Sequence, residues 1–306
     1  MKILISPSSF VEISEEPLRL LKESGFDYLN NPYNRKLTED EVITLASDCI
    51  GIVAGVEPLT SKVMDALPNL KCISRVGVGM DNVDIEYAYK KKIIVVNTPD
   101  GPTRAVAELT LGLTMALLRM IPQVDAKMKK GIWKKEVGNL LFGKKIGVIG
   151  LGRIGRMVSE QFRALGNPVI GYDLFPDTGW ADTNGVLLLD MDELLREADI
   201  ITLHIPGNTD KKPVIKTDEI EKCKDGVFII NISRGGVVDE VALFEGLKSN
   251  KIKSAAIDVF ENEPYTGPLC DLNNVILTPH LGSYASESKL QMEIDSVINL
   301  IQSLKK

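Results

Sequence analysis

The chain has 306 residues, with 36 Lys plus Arg against 42 Asp plus Glu, a formal charge of −6, and two histidines, His204 and His280. At 44% hydrophobic and 25% charged residues, it reads as an ordinary globular protein of two domains, because domains cluster near about 100–150 residues, and disordered and fibrous classes are excluded. The acidic balance opposes general nucleic-acid binding, which needs a basic face, and the longest apolar stretch, 109–118, falls short of the roughly 20 residues of a membrane span.

Short β-branched runs at 2–6, 50–55, 72–77 and 93–98 read as strands. After them, Asn97-Thr98-Pro99-Asp100-Gly101-Pro102 is a turn signal. Residues 103–121 then read as one helix, with Thr103 as N-cap, an apolar stripe of Ala105, Val106, Leu109, Leu113, Ala116 and Leu117, and Pro122 as terminator. The charge run Lys127–Lys135 reads as a solvated face, with Trp133 at a subunit contact.

A second series of near-continuous apolar runs, at 145–150, 168–173, 200–205, 227–233, 254–260 and 275–278, suits strands buried on both faces. Helical segments separate them, for example 153–165, so the expected architecture is a parallel sheet with right-handed crossovers. The tail 285–304 reads as an amphipathic helix with Leu290, Ile294, Val297, Ile298 and Ile301 on one stripe. Cys49, Cys72, Cys223 and Cys270 are scattered without a CxxC pair, so neither a disulfide framework nor a metal site is expected. With too short an N-terminal apolar run for a signal peptide, the expected compartment is the cytoplasm.

Gly150-Leu151-Gly152-Arg153-Ile154-Gly155 fits GxGxxG, between a strand and a helix. The first glycine allows the tight turn, the second lets the backbone approach a pyrophosphate, and the third packs helix on strand. Asp173, 18 residues beyond Gly155, would accept hydrogen bonds from a ribose. No Lys or Arg occurs between Leu174 and Leu195, so a 2′-phosphate would meet no cation and NAD is expected over NADP.

Three segments follow later strands: Ser233-Arg234-Gly235-Gly236, Asp258 through Glu263-Pro264, and Pro279-His280-Leu281-Gly282-Ser283. Ligands sit at the carboxyl ends of strands in such sheets, so Arg234, Asp258, Glu263 and His280 are expected to converge, a set suited to proton transfer at a carbonyl. His204 reads as packing rather than catalysis, and Glu108 as a buried structural hydrogen bond. Arg75, Arg104 and Arg234 are the candidate cations for a substrate with a second anion.

With Arg75-Val-Gly-Val-Gly-Met-Asp81-Asn82, Asn97-Thr98-Pro99 and Ala107-Glu108-Leu109-Thr110, these motifs resemble the D-isomer-specific 2-hydroxyacid dehydrogenases from about residue 50 to 285, most closely the phosphoglycerate-acting branch. The resemblance implies an α/β protein of two doubly wound parallel-sheet domains with a cleft between: a flavodoxin-like substrate domain, 1–99 with 284–306, and a Rossmann NAD domain, 100–283. It implies a catalytic trio of Arg234, Glu263 and His280. Arg153 and Ile154 would meet the pyrophosphate. Val78, Ile205, Pro206, Ile232, Ser233, Asp258, Gly282 and Ser283 would line the nicotinamide side, with a structural supporting role as the alternative for Asp258. The loop Arg75, Val76, Gly77, Val78, Gly79 would take the substrate carboxylate on backbone amides.

Arg234 would lie against carboxylate and carbonyl, and protonated His280, supported by Glu263, would donate the proton in reduction, which implies an alkaline optimum for oxidation. The substrate implied is a small anionic 2-hydroxy or 2-keto acid, foremost the 3-phosphoglycerate/3-phosphohydroxypyruvate pair. A hydroxypyruvate/glyoxylate or D-lactate-type reductase and an NAD-sensing corepressor-like protein are the alternatives. A homodimer without nucleic-acid or membrane partners, and a short form without an appended regulatory domain, complete the expectations. The 207–211 loop, Val78 and Ile205 depart from the family pattern.

Overall fold

The computed structural model describes residues 1–207 and 212–305, so most of the unusual 207–211 loop lies outside the described residues. The chain divides into two compact units, Met1–Pro102 with Ser283–Lys306, and Thr103–Gly282.

In the first unit, β1 (Lys2–Ile5), β2 (Asp27–Asn30), β3 (Cys49–Ala54), β4 (Cys72–Arg75) and β5 (Ile94–Val96) form a parallel sheet ordered β2-β1-β3-β4-β5. β2 was not legible as a strand: Asp-Tyr-Leu-Asn has neither a β-branched run nor a buried residue. The C-terminal helix Ser286–Leu304 completes this unit. Its Val297 and Leu300 pack with Ile3, Ile5 and Val53.

The buried face of that helix is rotated from the expected stripe. Ser288, Met292, Glu293, Ser296, Val297 and Leu300 are buried, while Ile298 is 36% exposed. Small hydroxyls can be buried there because each finds a carbonyl: Ser288 Oγ donates to Gly101 at 2.5 Å and Ser296 Oγ to Glu293 at 2.8 Å. The Ser288–Gly101 bond also ties residues 100–102, expected with the second domain, to the first unit.

The second unit holds β6 (Ile146–Ile149), β7 (Val169–Tyr172), β8 (Leu187–Leu188), β9 (Ile200–Leu203), β10 (Val227–Asn231), β11 (Ile252–Ile257) and β12 (Val275–Leu277). They form a parallel sheet ordered β12-β11-β10-β9-β6-β7-β8. The direction of strand addition reverses between β6 and β9, the place where open α/β sheets bind ligands. The central strands are buried on both faces, as their continuous apolar sequences require.

The long helix differs from its sequence reading. It spans Gly101–Leu118, so Thr103 lies inside it and is not its cap. Met120 turns left-handed at φ 55°, and a second helix, Ile121–Lys129, begins with Pro122 in its first turn. A proline there loses no hydrogen bond, so Pro122 starts a helix and does not end one. Among the described residues, no single helix is long and apolar enough to cross a membrane.

Candidate functional site

The glycine-rich turn joins β6 to the helix Arg153–Ala164. Gly150 has φ +94°, and a Cβ there would meet the His204 carbonyl oxygen at 2.6 Å and Ile205 Cγ2 at 2.7 Å. A Cβ on Gly155 would meet the Gly150 oxygen at 1.8 Å, whereas one on Gly152 would meet nothing within 4 Å. Tight packing at the first and third positions and open space at the second is the pattern a pyrophosphate cradle needs. Gly152 caps the helix Arg153–Ala164 without a side-chain hydrogen bond, and a helix N-terminus of this kind suits an anion. These residues fit a dinucleotide.

Asp173 follows β7. Its Oδ2 accepts from the Leu151 amide at 2.7 Å and its Oδ1 from the Phe175 amide at 2.8 Å. The carboxylate is thereby fixed beside the glycine turn with lone pairs remaining for ribose hydroxyls. Sequence distance hid one cation: Arg156 reaches Asp177 at 3.1 Å and lies 4.9 Å from the Trp180 ring centre. Its guanidinium is committed to Asp177 and to the Leu151 carbonyl, at 2.9 Å.

His204 follows β9. Its Nε2 lies 2.9 Å from Thr202 Oγ1, and burial pushes the imidazole down to about 3. A neutral ring of that kind cannot donate a catalytic proton near neutrality, and it is the His204 backbone carbonyl, not the ring, that faces Gly150. Ile205 stands beside the same turn, and Pro206 is exposed.

After β10, Asn231 shapes the turn that carries Arg234. It is 2% exposed. Its Oδ1 accepts from the Ser233 amide at 3.1 Å and hydroxyl at 2.7 Å, and its Nδ2 donates to the Arg234 carbonyl at 3.2 Å. Arg234 Nη1 bonds the Ser233 carbonyl at 2.7 Å. The sequence signal for Asn231 was a polar residue closing an otherwise apolar strand.

Asp258, read above either as lining the nicotinamide side or as a structural support, is 0% exposed. Its Oδ1 accepts from Thr278 Oγ1 at 2.6 Å and the Leu281 amide at 2.7 Å, and its Oδ2 from the Gly282 amide at 2.9 Å. Its carbonyl accepts from the His280 amide at 2.9 Å. Burial pushes its carboxyl up, against those hydrogen bonds. A carboxylate so enclosed holds the 278–282 turn, in which His280 adopts a left-handed φ of 55°. Ile232 and Gly282 are buried beside it.

His280 Nδ1 lies 3.0 Å from Glu263 Oε2, and both side chains are substantially exposed, at 50% and 39%. Glu263 Oε1 accepts from the Phe260 amide at 3.1 Å. With Nδ1 directed at the carboxylate, Nε2 remains for a reacting oxygen. The second unit therefore gathers Arg234, Glu263 and His280 at the carboxyl ends of adjacent strands β10, β11 and β12. Among the described residues, no group of three or more His, Cys, Asp or Glu is arranged to hold a metal.

The remaining expected residues belong to the first unit. The Val76 amide donates to the Ala54 carbonyl at 2.9 Å and the Gly77 amide to Thr98 Oγ1 at 2.7 Å. Two of the loop amides expected to meet a carboxylate are thus already used. Among the described residues, those of Val78 and Gly79 make no hydrogen bond. Asn97 Nδ2 braces the loop at the Val78 carbonyl, 2.8 Å away. Arg75 ends β4 and lies against Gly77. Ser283 also falls in this unit. In the second unit Arg104 is exposed and 3.9 Å from Glu108, itself exposed, so Glu108 is a surface ion-pair partner and not a buried hydrogen-bonding group.

The family model for the D-isomer specific 2-hydroxyacid dehydrogenase NAD binding domain matches residues 111–282. The D-3-phosphoglycerate dehydrogenase of Methanocaldococcus jannaschii is 41% identical over 294 residues, covering 94% of this chain and 55% of that protein. The human protein of the same name is 37% identical over 291 residues, covering 94% and 54%. The chain thus spans about half the length of these curated relatives. Among solved structures, the TT0316 protein of Thermus thermophilus matches with TM-score 0.91 at 30% identity, covering 100% of this chain and 97% of that one. A glyoxylate reductase from Paecilomyes thermophila matches with TM-score 0.88 at 28% identity, covering 100% and 96%. The chain belongs to the D-isomer-specific 2-hydroxyacid dehydrogenase family and carries that family's NAD-binding domain.

Proposed function

We propose that the protein is an NAD-dependent D-2-hydroxyacid dehydrogenase acting on the 3-phosphoglycerate/3-phosphohydroxypyruvate pair, a step of serine biosynthesis. The observation that carries the reading is the pairing of His280 Nδ1 with Glu263 at 3.0 Å on a turn held by buried Asp258. Bound NAD(H) supplies or accepts the hydride. Arg234 offers its fork of donors to the carbonyl and carboxylate oxygens of a ketoacid, where negative charge grows during reduction. His280 donates the proton to that oxygen from Nε2 and, in the oxidising direction, removes it from the hydroxyl. Glu263 holds Nδ1 at 3.0 Å and so fixes the ring orientation that leaves Nε2 for the reacting oxygen. Asp173 holds the adenosine ribose.

The phosphoglycerate choice is supported by the relatives at 37–41% identity, which are D-3-phosphoglycerate dehydrogenases. A homodimer is supported by Trp133, Val137, Leu140 and Phe142, 82%, 94%, 74% and 76% exposed within one segment, a concentration of apolar surface beyond isolated exposed residues. A cytoplasmic setting completes the reading. Oxidation of NADH with a panel of 2-ketoacids tests it: turnover of phosphohydroxypyruvate is expected. Turnover of glyoxylate or pyruvate alone would replace the substrate, and tight NADH binding without any turnover would replace the activity by sensing.

A further inference from the structure

Each of the three proposed catalytic side chains is tied to the turn that follows β11. Asp258 accepts the His280 amide at 2.9 Å. The Phe260 amide fixes Glu263 at 3.1 Å. Gly235, next to Arg234, packs so closely that a Cβ there would meet the Phe260 carbonyl oxygen at 1.9 Å. The Phe260 backbone, through its N–H on one side and its C=O on the other, therefore adjoins both Glu263 and the Arg234–Gly235 turn.

Phe260 is itself braced from one side. Its ring stacks on Tyr265, with centroids 4.3 Å apart and planes 18° from parallel. Tyr265 is anchored at its far end, where its hydroxyl oxygen accepts from the Leu269 amide at 3.2 Å. It has room there only because residue 267 is glycine: a Cβ would meet Tyr265 Oη at 2.4 Å and Cζ at 2.5 Å. Phe260 is 7% exposed, and Tyr265 is partly buried against the same core. Glu263 is 39% exposed at its side chain and gains little rigidity from burial. Its orientation then depends on the backbone between the two stacked rings, which spans only residues 260–265.

We infer that Tyr265 is a positioning residue, which clamps the 260–265 turn through its stack on Phe260 and so aims the Glu263 carboxylate at His280. The inference rests on the catalytic reading above. Tyr265 touches neither substrate nor cofactor in this role. Offset ring stacks supply directional contact beyond simple area, which suits a brace better than an aliphatic side chain would.

Three variants test it, each assayed for ketoacid-dependent NADH oxidation, NADH affinity and melting temperature. Y265A removes brace and anchor. It should lower kcat about tenfold, the scale expected when a catalytic group is misplaced by a fraction of an ångström, with NADH Kd within about twofold. The ketoacid KM should stay within about twofold, so that the loss falls in kcat, as for an interaction made in the transition state. Y265F keeps the ring and should recover most of that loss. G267A, which drives a methyl into the tyrosine's place, should reproduce the Y265A loss of kcat without altering Tyr265. Variants that melt lower but keep the wild-type kcat overturn the inference, as does Y265A behaviour in Y265F. If Y265A does not fold, G267A and Y265F decide between these results. A wild-type chain that turns over no 2-ketoacid overturns the catalytic reading and this inference with it; an active wild type with an unchanged G267A overturns the inference alone.

Discussion

Replacing Asp258 by Asn separates a holding role from direct cofactor contact. The carboxylate accepts three hydrogen bonds, two at Oδ1 and one at Oδ2. An amide of the same shape can accept at one oxygen only, so its NH2 group would confront the Gly282 amide, and Gly282 is buried. One buried unsatisfied donor costs about 1–3 kcal/mol. Removing a buried charge offsets part of that, so the low end, about 1 kcal/mol, is the expected net loss. For a unit of 103–282 this corresponds to about 2–4 °C in melting temperature. The larger effect should be catalytic: the His280 amide bonds the Asp258 carbonyl, and a shift of His280 on the order of 1 Å costs about 100-fold in kcat. The assay is thermal melting with NADH oxidation and NADH fluorescence titration. Wild-type kcat in D258N refutes the holding role, and lost NADH affinity with preserved kcat assigns Asp258 to the cofactor instead.

Two further outcomes follow from the same geometry. G152A, whose added methyl meets nothing within 4 Å in the protein, should melt like the wild type and bind NADH at least about tenfold more weakly, whereas G155A, at 1.8 Å from the Gly150 oxygen, should melt lower; titration and melting check both, and unchanged NADH affinity in G152A contradicts the cradle. His204 has a folded value near 3 against an unperturbed 6.5, so the unfolded chain binds the extra proton between those limits. Its contribution is therefore complete above about pH 6.5 and is lost as pH falls toward 3, on the order of 5 kcal/mol at most, and H204Q should flatten the acid side of the stability curve. Equal slopes in both proteins contradict the buried neutral ring.

Much of this architecture was legible because the second unit's strands are buried on both faces and write themselves as apolar runs. β2 and β8 were not, since edge strands of four and two residues carry no such pattern. The break at Met120 was hidden because a proline in the first turn of a helix looks, in sequence, like a proline that ends one. At the site, the types Arg234, Glu263 and His280 and their order could be read, but not hydrogen-bond allocation. That Thr98 takes the Gly77 amide, that Asn231 shapes the arginine turn, and that Asp258 faces inward are contacts between residues 20 or more apart, or side-chain orientations on a turn. The Arg156–Asp177 pair escaped for the same reason.

The central claim is that His280, aligned by Glu263, moves the proton in ketoacid reduction. It is tested most directly by comparing wild type and H280A for NADH oxidation with phosphohydroxypyruvate, alongside NADH titration of both. The account predicts turnover in the wild type, none measurable in H280A, and NADH affinities within about twofold of each other, the loss being confined to an interaction made in the transition state. Substantial turnover by H280A, at any pH, would contradict it.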